Sequence, residues 1–387
     1  MTASLPQTCI TEELIEDMRA KAGTELRIDH SINNEEATRL AIAKFTAGIG
    51  DPNPLWTDAE HAARSPYGRI VAPPSWVVSV FAGLQFGWPG LGSFHSETTL
   101  RFHRPVRLDD RITASCTYLG FDGPRPSRFA EKVVVDQFAN TYRNQHDELV
   151  AEIDWSVVNF ERARAGGSRG APAEPSRWAE DELRAIEAHV LAEEPRGEKP
   201  RAWEDVHIGD QLDALTKGPI GMTDEIAFVA GGGAPIPRLA AHGVALRAYR
   251  RHPDWAFRDE TTGALEPIYA VHYNRAAANA MGVALAYDVG FQRQCWQIHL
   301  LTNWAGDDAW IKRAHAEYRR FVFHGDVVRL SGDVTRKYVD SDGDSCVEVV
   351  TTARNQRDEE VMPGLATVVL PNAGSDAPGP VARRLDR

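Results

Sequence analysis

The chain has 387 residues, 43% hydrophobic and 25% charged, which suits a soluble globular protein long enough for two domains of ordinary size. Its formal charge of −12 argues against nucleic acid or an anionic membrane as a partner. No apolar run has membrane-spanning length, Met1–Glu13 lacks an apolar leader core, and Cys9, Cys116, Cys295 and Cys346 are scattered. Neither a transmembrane helix, a secretory signal, a disulfide framework nor a metal site is expected, and the expected location is the cytoplasm.

In chain order, the first unusual stretch is Gly48-Ile49-Gly50-Asp51-Pro52-Asn53-Pro54-Leu55-Trp56. Read locally, it is a turn capping the next helix, with Asp51 bonding nearby backbone. Val77–Phe86 is apolar and of helical length. Thr98–Phe102, Arg111–Leu119, Phe129–Phe138 and Leu149–Phe160 alternate or run apolar as strands do. Residues 163–200 read as a linker with one helix, which Ser176 is placed to cap and which runs through Glu193. A helix over Leu239–Arg251 and a polar loop follow, then a helix over Gln292–Trp304. Arg319–Phe323, Val327–Tyr338, Cys346–Asn355 and Glu360–Leu370 repeat the strand order of the first half. Asp340-Ser341-Asp342-Gly343-Asp344 begins like a calcium loop, but the later ligands are missing and its place between strands predicts a hairpin turn. Composition from residue 372 onward predicts a disordered tail.

Two blocks recur in the same order. Phe45–Pro54 aligns with Phe228–Pro237, and Arg143–Val150 aligns with Arg354–Val361. The spacing between blocks is longer in the second half, which therefore carries a net insertion of about thirty residues. The duplication divides the chain into a domain over 1–162, the linker over 163–200, a domain over 201–371 with its insertion near 239–270, and the tail over 372–387.

The Gly48–Trp56 loop resembles the active-site loop of the MaoC-like acyl-CoA dehydratases and (R)-specific enoyl-CoA hydratases, roughly G-D-x-N-P-L-H. In that family the Asp and the His five residues later share proton transfer. Here Asp51 and Asn53 match and Trp56 stands where the His would be. The segment opening the family's central helix supplies a glycine N–H; here it reads Ile70-Val71-Ala72-Pro73-Pro74-Ser75-Trp76, and proline has no N–H. The second half is complementary: Val271-His272-Tyr273-Asn274-Arg275-Ala276-Ala277-Ala278 resembles the family's H-x-D-x-x-x-A, with Gly282 after it. Tyr287-Asp288-Val289-Gly290-Phe291 stands where the helix-opening segment would be. The carboxylate is the missing part there: the residue five before His272 is Pro267, and the repeat partner of Asp51 is Ala234. Glu266 and Asp288 are candidates to replace it.

The resemblance implies an α+β, tandem hot-dog fold, each half a long central helix wrapped by an antiparallel sheet. It implies a hydratase or dehydratase interconverting a 2-enoyl and a 3-hydroxyacyl thioester, CoA-bound, with no separate cofactor. The catalytic candidates are Asp51, Asn53, His272 and Gly290, the last as oxyanion donor; the substrate-binding candidates are Trp56, Trp76, Arg293, Trp296 and His242. Trp296 also recurs with Leu300 and Trp304 at helical spacing, which fits core packing equally. Arg101, Arg104, Arg107 and Arg111, with Lys312, Arg313, Arg319 and Arg320, either meet CoA phosphates or face solvent. Two rival readings share the slot: a non-catalytic thioester-binding protein or inactive subunit, and an isomerase or cyclase using Asp51 alone as base. A homodimer or a partner subunit is compatible with each.

Overall fold

A computed structural model describes residues 9–26, 34–80, 88, 91–127, 130–161, 174–232, 239–281, 283–374 and 377–385. Expectations placed on residues 1–8, 81–86, 129, 162–173, 233–237, 375–376, 386–387 and on Gly282 lie outside the described residues.

The first half contains α1 (Glu12–Ala20), α2 (Arg39–Ile49), α3 (Ala59–Arg64), β1 (Gly92–Phe102), β2 (Thr113–Arg125), β3 (Val133–Arg143) and β4 (Leu149–Phe160). After α4 (Glu180–Leu191) come β5 (Leu215–Lys217), α5 (Met222–Ala230), α6 (His242–Arg251) and the hairpin β6 (Ala256–Arg258) and β7 (Leu265–Pro267). α7 (Arg275–Ala280), α8 (Gly290–Ala305), β8 (Trp310–Glu317), β9 (Val328–Val339), β10 (Ser345–Asn355), β11 (Glu360–Val369) and α9 (Ala382–Leu385) complete the chain.

One sheet of nine strands, ordered β2-β3-β4-β1-β8-β11-β10-β9-β5, runs through both halves. The first long strand of each half meets its counterpart at the centre, with Thr98 opposite Ala316 and Leu100 opposite Ala314. Each half is thus an antiparallel sheet, and the two form a double hot-dog. Along β9 and β10 buried and exposed residues alternate, as expected where one face packs on a core and the other meets water. α8 is the helix this core encloses, buried along nearly its whole length.

The duplication is visible in detail. Asn144 and Asn355 each use the side-chain oxygen to accept two backbone N–H groups and the side-chain nitrogen to donate to Glu148 or Glu359. Asp147 and Asp358 take the same positive φ, 61° and 56°. Gly48 and Gly231, partners in the sequence repeat, lie where α2 and α5 cross. A Cβ on Gly48 would stand 2.7 Å from Ala227 O, and one on Gly231 would stand 2.8 Å from Lys44 O. Phe45 and Phe228 meet beside them with ring centroids 6.5 Å apart. These glycines allow two helices to touch backbone to backbone.

Four expectations are corrected. The first long strand of the second half is Trp310–Glu317, not Arg319–Phe323. Lys312 and Arg313 hide its apolar character, since Lys312 turns out to the β9–β10 turn while Ala314 and Ala316 are buried. The described part of the first half's expected helix is a 3-10 turn over Pro74–Ser79. Ser176 does not cap α4; its hydroxyl faces Asp326, and Glu182 bonds back to the Ala179 N–H. The tail places α9 against the second half, where Arg384 is buried and paired with Asp344. The turn that begins like a calcium loop is a hairpin turn whose three carboxylates hold the Lys312 ammonium, at 2.5, 2.8 and 3.2 Å. Among the described residues no helix is long and apolar enough to cross a membrane.

Candidate active site

α8 carries five polar side chains, Gln292, Arg293, Gln294, Gln297 and His299, into the interior. Burial of such groups costs free energy unless each finds a partner. Gln294 reaches toward the Thr98 and Ala314 carbonyls, and Gln297 donates to His315 O and Thr351. Arg293 donates to the Arg320 and Val361 carbonyls, and its Nε lies 2.6 Å from Asp288 Oδ2. Arg293 is therefore engaged within the protein. Trp76 and Trp296 belong to the central apolar core, and His242 is exposed at the start of α6 with φ 52°.

The Gly48–Trp56 loop is built inward. Gly50 ends α2 in the left-handed conformation, with φ 62°, and Asn53 caps the next turn by accepting from the Leu55 N–H. Asp51 accepts from Asn53 N at 3.0 Å and from Trp56 Nε1 at 2.9 Å. Trp56, which stands where the resembling motif has a His, thus donates to the Asp51 carboxylate. His299 Nε2, from α8, lies 3.5 Å from Asp51 and 2.5 Å from Glu193 Oε1. Lys217 donates to Gly50 O and lies 3.7 Å from Glu193, while Asn303 donates to the same Glu193. Burial works to raise the Glu193 carboxyl, but His299, Lys217 and Asn303 outweigh it and hold it below the usual range. Burial also lowers the Lys217 ammonium, against the pull of Glu193 and Asp51. His299, Glu193 and Lys217 escape a search for motifs, because they come from three separate elements.

The space beside this loop is a cavity of about 20 Å³, room for a single water, with Trp56, Tyr67, Pro74, Val77, Arg104 and Trp310 in its wall. Its walls are mainly apolar, and Asp51 is not among them.

At the other end of α8 lies a second group. His272 Nδ1 is 2.9 Å from Tyr287 O, so it carries the ring proton and Nε2 keeps the lone pair. Burial lowers this imidazole to about 4, which keeps it neutral near pH 7. The Tyr269 ring packs on His272 with centroids 4.4 Å apart, and its buried hydroxyl has no hydrogen-bond partner. Gly290 is the first residue of α8, and its N–H meets no acceptor among the described residues. A helix N-terminus with such an N–H suits a developing oxyanion. From the first half, His95 lies so close that a Cβ on Gly290 would be 3.2 Å from its Nδ1. Burial, with Arg293 nearby, lowers His95 to about 3. Burial raises Asp288 to about 6 although Arg293 opposes it. Glu225, from α5, is fully buried, and burial together with Asp288 raises its carboxyl well above the ordinary value.

Asp51 and His272 are not brought together. Asp51 meets α8 at His299, nine residues beyond Gly290, or about 13 Å along a helix axis. The structure unites His272 with Gly290's end of α8, and Asp51 with Asn53 and Trp56.

Comparison with known proteins agrees with this architecture. A family model described as FAS1-like, dehydratase domain region, matches residues 28–153. A UPF0336 protein of Parafrankia sp. is 33% identical over 129 residues, covering 31% of this chain and 82% of the relative. Another from Streptomyces avermitilis is 36% identical over 90 residues, covering 21% of this chain and 60% of the relative. The chain spans about three fifths of the length of the first curated relatives it matches. Among solved structures, a MaoC-like dehydratase is similar with a TM-score of 0.61 at 13% identity, over 91% of this chain and 99% of that one. A Mycobacterium tuberculosis protein with a double hotdog fold is similar with a TM-score of 0.55 at 14% identity, over 95% and 99%. At such identities the likeness is one of fold.

Proposed function

The chain belongs with the UPF0336 proteins, carries a FAS1-like dehydratase region and has the double hot-dog fold of a MaoC-like dehydratase, and on that premise we propose that it interconverts a 2-enoyl and a 3-hydroxyacyl thioester at the N-terminal end of α8. The observation that carries this reading is His272, a neutral imidazole with Nδ1 bonded to Tyr287 O, three residues before the glycine that opens the buried helix. Nε2 is left as the base that takes a proton from water as its oxygen attacks Cβ. The Gly290 N–H, at the positive end of the helix, receives the thioester oxygen as negative charge develops on it. Asp51 and Asn53 belong in this reading to the internal framework, because their polar atoms are spent on Trp56, Leu55 and each other.

A panel of short, medium and bulky 2-enoyl-CoA esters, assayed for loss of the conjugated thioester, tests the reading. Turnover by the wild-type protein and its loss in His272→Ala are expected. Turnover undiminished in His272→Ala would overturn the site. If no ester turns over while CoA esters raise the melting temperature, the chain is a binding subunit instead.

A further inference from the structure

A hydration needs a proton for Cα as well as a base for water, and the second half lacks the family aspartate. Three carboxylates could stand in for it. Asp288 is held by Arg293 at 2.6 Å, which stabilises it as an anion. Glu266, on β7, is only half-buried. Glu225 differs from both. Its carboxyl is fully buried, no Lys or Arg among the described residues forms an ion pair with it, and it sits at the first turn of α8. Gln292, with its amide nitrogen turned to the carboxyl, donates at 2.9 and 3.2 Å, and the Val289 N–H also bonds to it. The unpartnered Tyr269 hydroxyl has Glu225 as its foremost charged neighbour, while the Tyr269 ring lies on His272. A buried carboxyl whose hydrogen-bond donors are neutral is held as the acid although Arg293 acts on it from beyond ion-pair distance, and the orphan Tyr269 hydroxyl leaves a hydrogen bond for a ligand to complete.

We propose that Glu225 is the acid partner of His272, supplying and removing the Cα proton in place of the aspartate missing from this half. The inference rests on the hydratase reading of the same site. In the hydration direction, the water oxygen bonds to Cβ as the Cα–Cβ π bond breaks. His272 Nε2 takes one water proton and the carboxylic proton of Glu225 passes to Cα. The step leaves an imidazolium and a carboxylate, and transfer of one proton from His272 to Glu225 restores both. Tyr269 positions the pair: its ring packs on His272, and the charge of Glu225 acts on its hydroxyl.

The test uses the full chain, with Glu225→Gln, Glu225→Asp and His272→Ala assayed on an enoyl-CoA that the wild type hydrates. Glu225→Gln is expected to lower kcat by at least about 100-fold with KM changed by less than about threefold, as loss of a general acid requires. The wild-type rate should fall on the alkaline side as Glu225 loses its proton, and the residual Glu225→Gln rate should lack that limb. Infrared difference spectra of the wild type against Glu225→Gln, at neutral pH, should contain the carbonyl band of a protonated carboxylic acid. Full activity in Glu225→Gln beside an inactive His272→Ala would overturn the acid while the hydratase reading stands. A wild type inert toward every thioester would remove both. If Glu225→Gln does not fold, Glu225→Asp takes its place in both measurements, and a missing carboxylic-acid band overturns the proposal whatever the turnover.

Discussion

Trp56 and His272 differ in what their ring nitrogens can do, and the proposed division of chemistry between the halves rests on that difference. Trp56 is a donor without a basic nitrogen, and its Nε1 bond to Asp51 makes the loop an internal fixture. His272 keeps an unprotonated Nε2 because its other nitrogen is spent on a carbonyl. His272→Ala is expected to lower kcat by about 10²–10⁴-fold. Asp51→Asn should leave kcat within a few-fold and lower unfolding stability by about 1–3 kcal/mol, since Trp56 and His299 lose a charged partner. Denaturant unfolding of both variants beside their kinetics checks the division; a dead but fully stable Asp51→Asn would reverse it. The buried histidines add a pH dependence. His95 and His272 are lowered from 6.5 to about 3 and about 4, so above pH 6.5 both states hold them neutral and no penalty exists. As pH falls from 6.5 toward 4 the unfolded chain binds protons that the folded chain refuses, and stability is lost. His95→Gln should show a smaller drop in denaturation midpoint between pH 7 and pH 5 than the wild type. An equal drop would remove His95 as a source.

At the level of elements, the glycines of the repeated motif serve packing before chemistry. Gly48 and Gly231 sit at the α2–α5 crossing, where a Cβ would enter the backbone of the other helix. Gly48→Ala is expected to cost about 1–3 kcal/mol by overpacking, measured by chemical denaturation. Gly231→Ala should cost a similar amount, and the double variant should be non-additive because both changes open the same contact. A neutral Gly48→Ala would mean that the helices part without penalty. α8 makes the opposite point. Its polar residues look like a solvated face in sequence, yet they are buried links among α8, β1 and β8. In α5 the usual sides are exchanged: Glu225 is buried in line with Phe228, while Ile226 is exposed. A carboxylate at helical spacing with a core phenylalanine was the available signal for Glu225, and only its neighbours give that signal meaning.

At the scale of the molecule, the two halves share one sheet through β1 and β8, and the second half's helix is held by groups from the first. Separating the halves would expose two long strand edges, part Asp51 from His299 and part Gln294 from the Thr98 carbonyl. Expressed alone, residues 1–175 are expected to aggregate or to unfold without a cooperative transition, as size-exclusion chromatography and thermal scans would reveal; a stable monomer would contradict the shared core. The tail contributes as well, because Arg384 and Lys312 together neutralise the buried Asp344.

The repeated strand pattern, the duplication and the fold family were legible because they rest on local patterns: alternation, repeated blocks and motif spacing. The first strand of the second half was hidden, since its charged residues find partners across the sheet. The pairing of Asp51 with His299 and Glu193, and of Glu225 with the start of α8, was decided by tertiary structure alone. Burial and proximity between elements distant in sequence set the proton affinity of a carboxyl, and no local spacing encodes them.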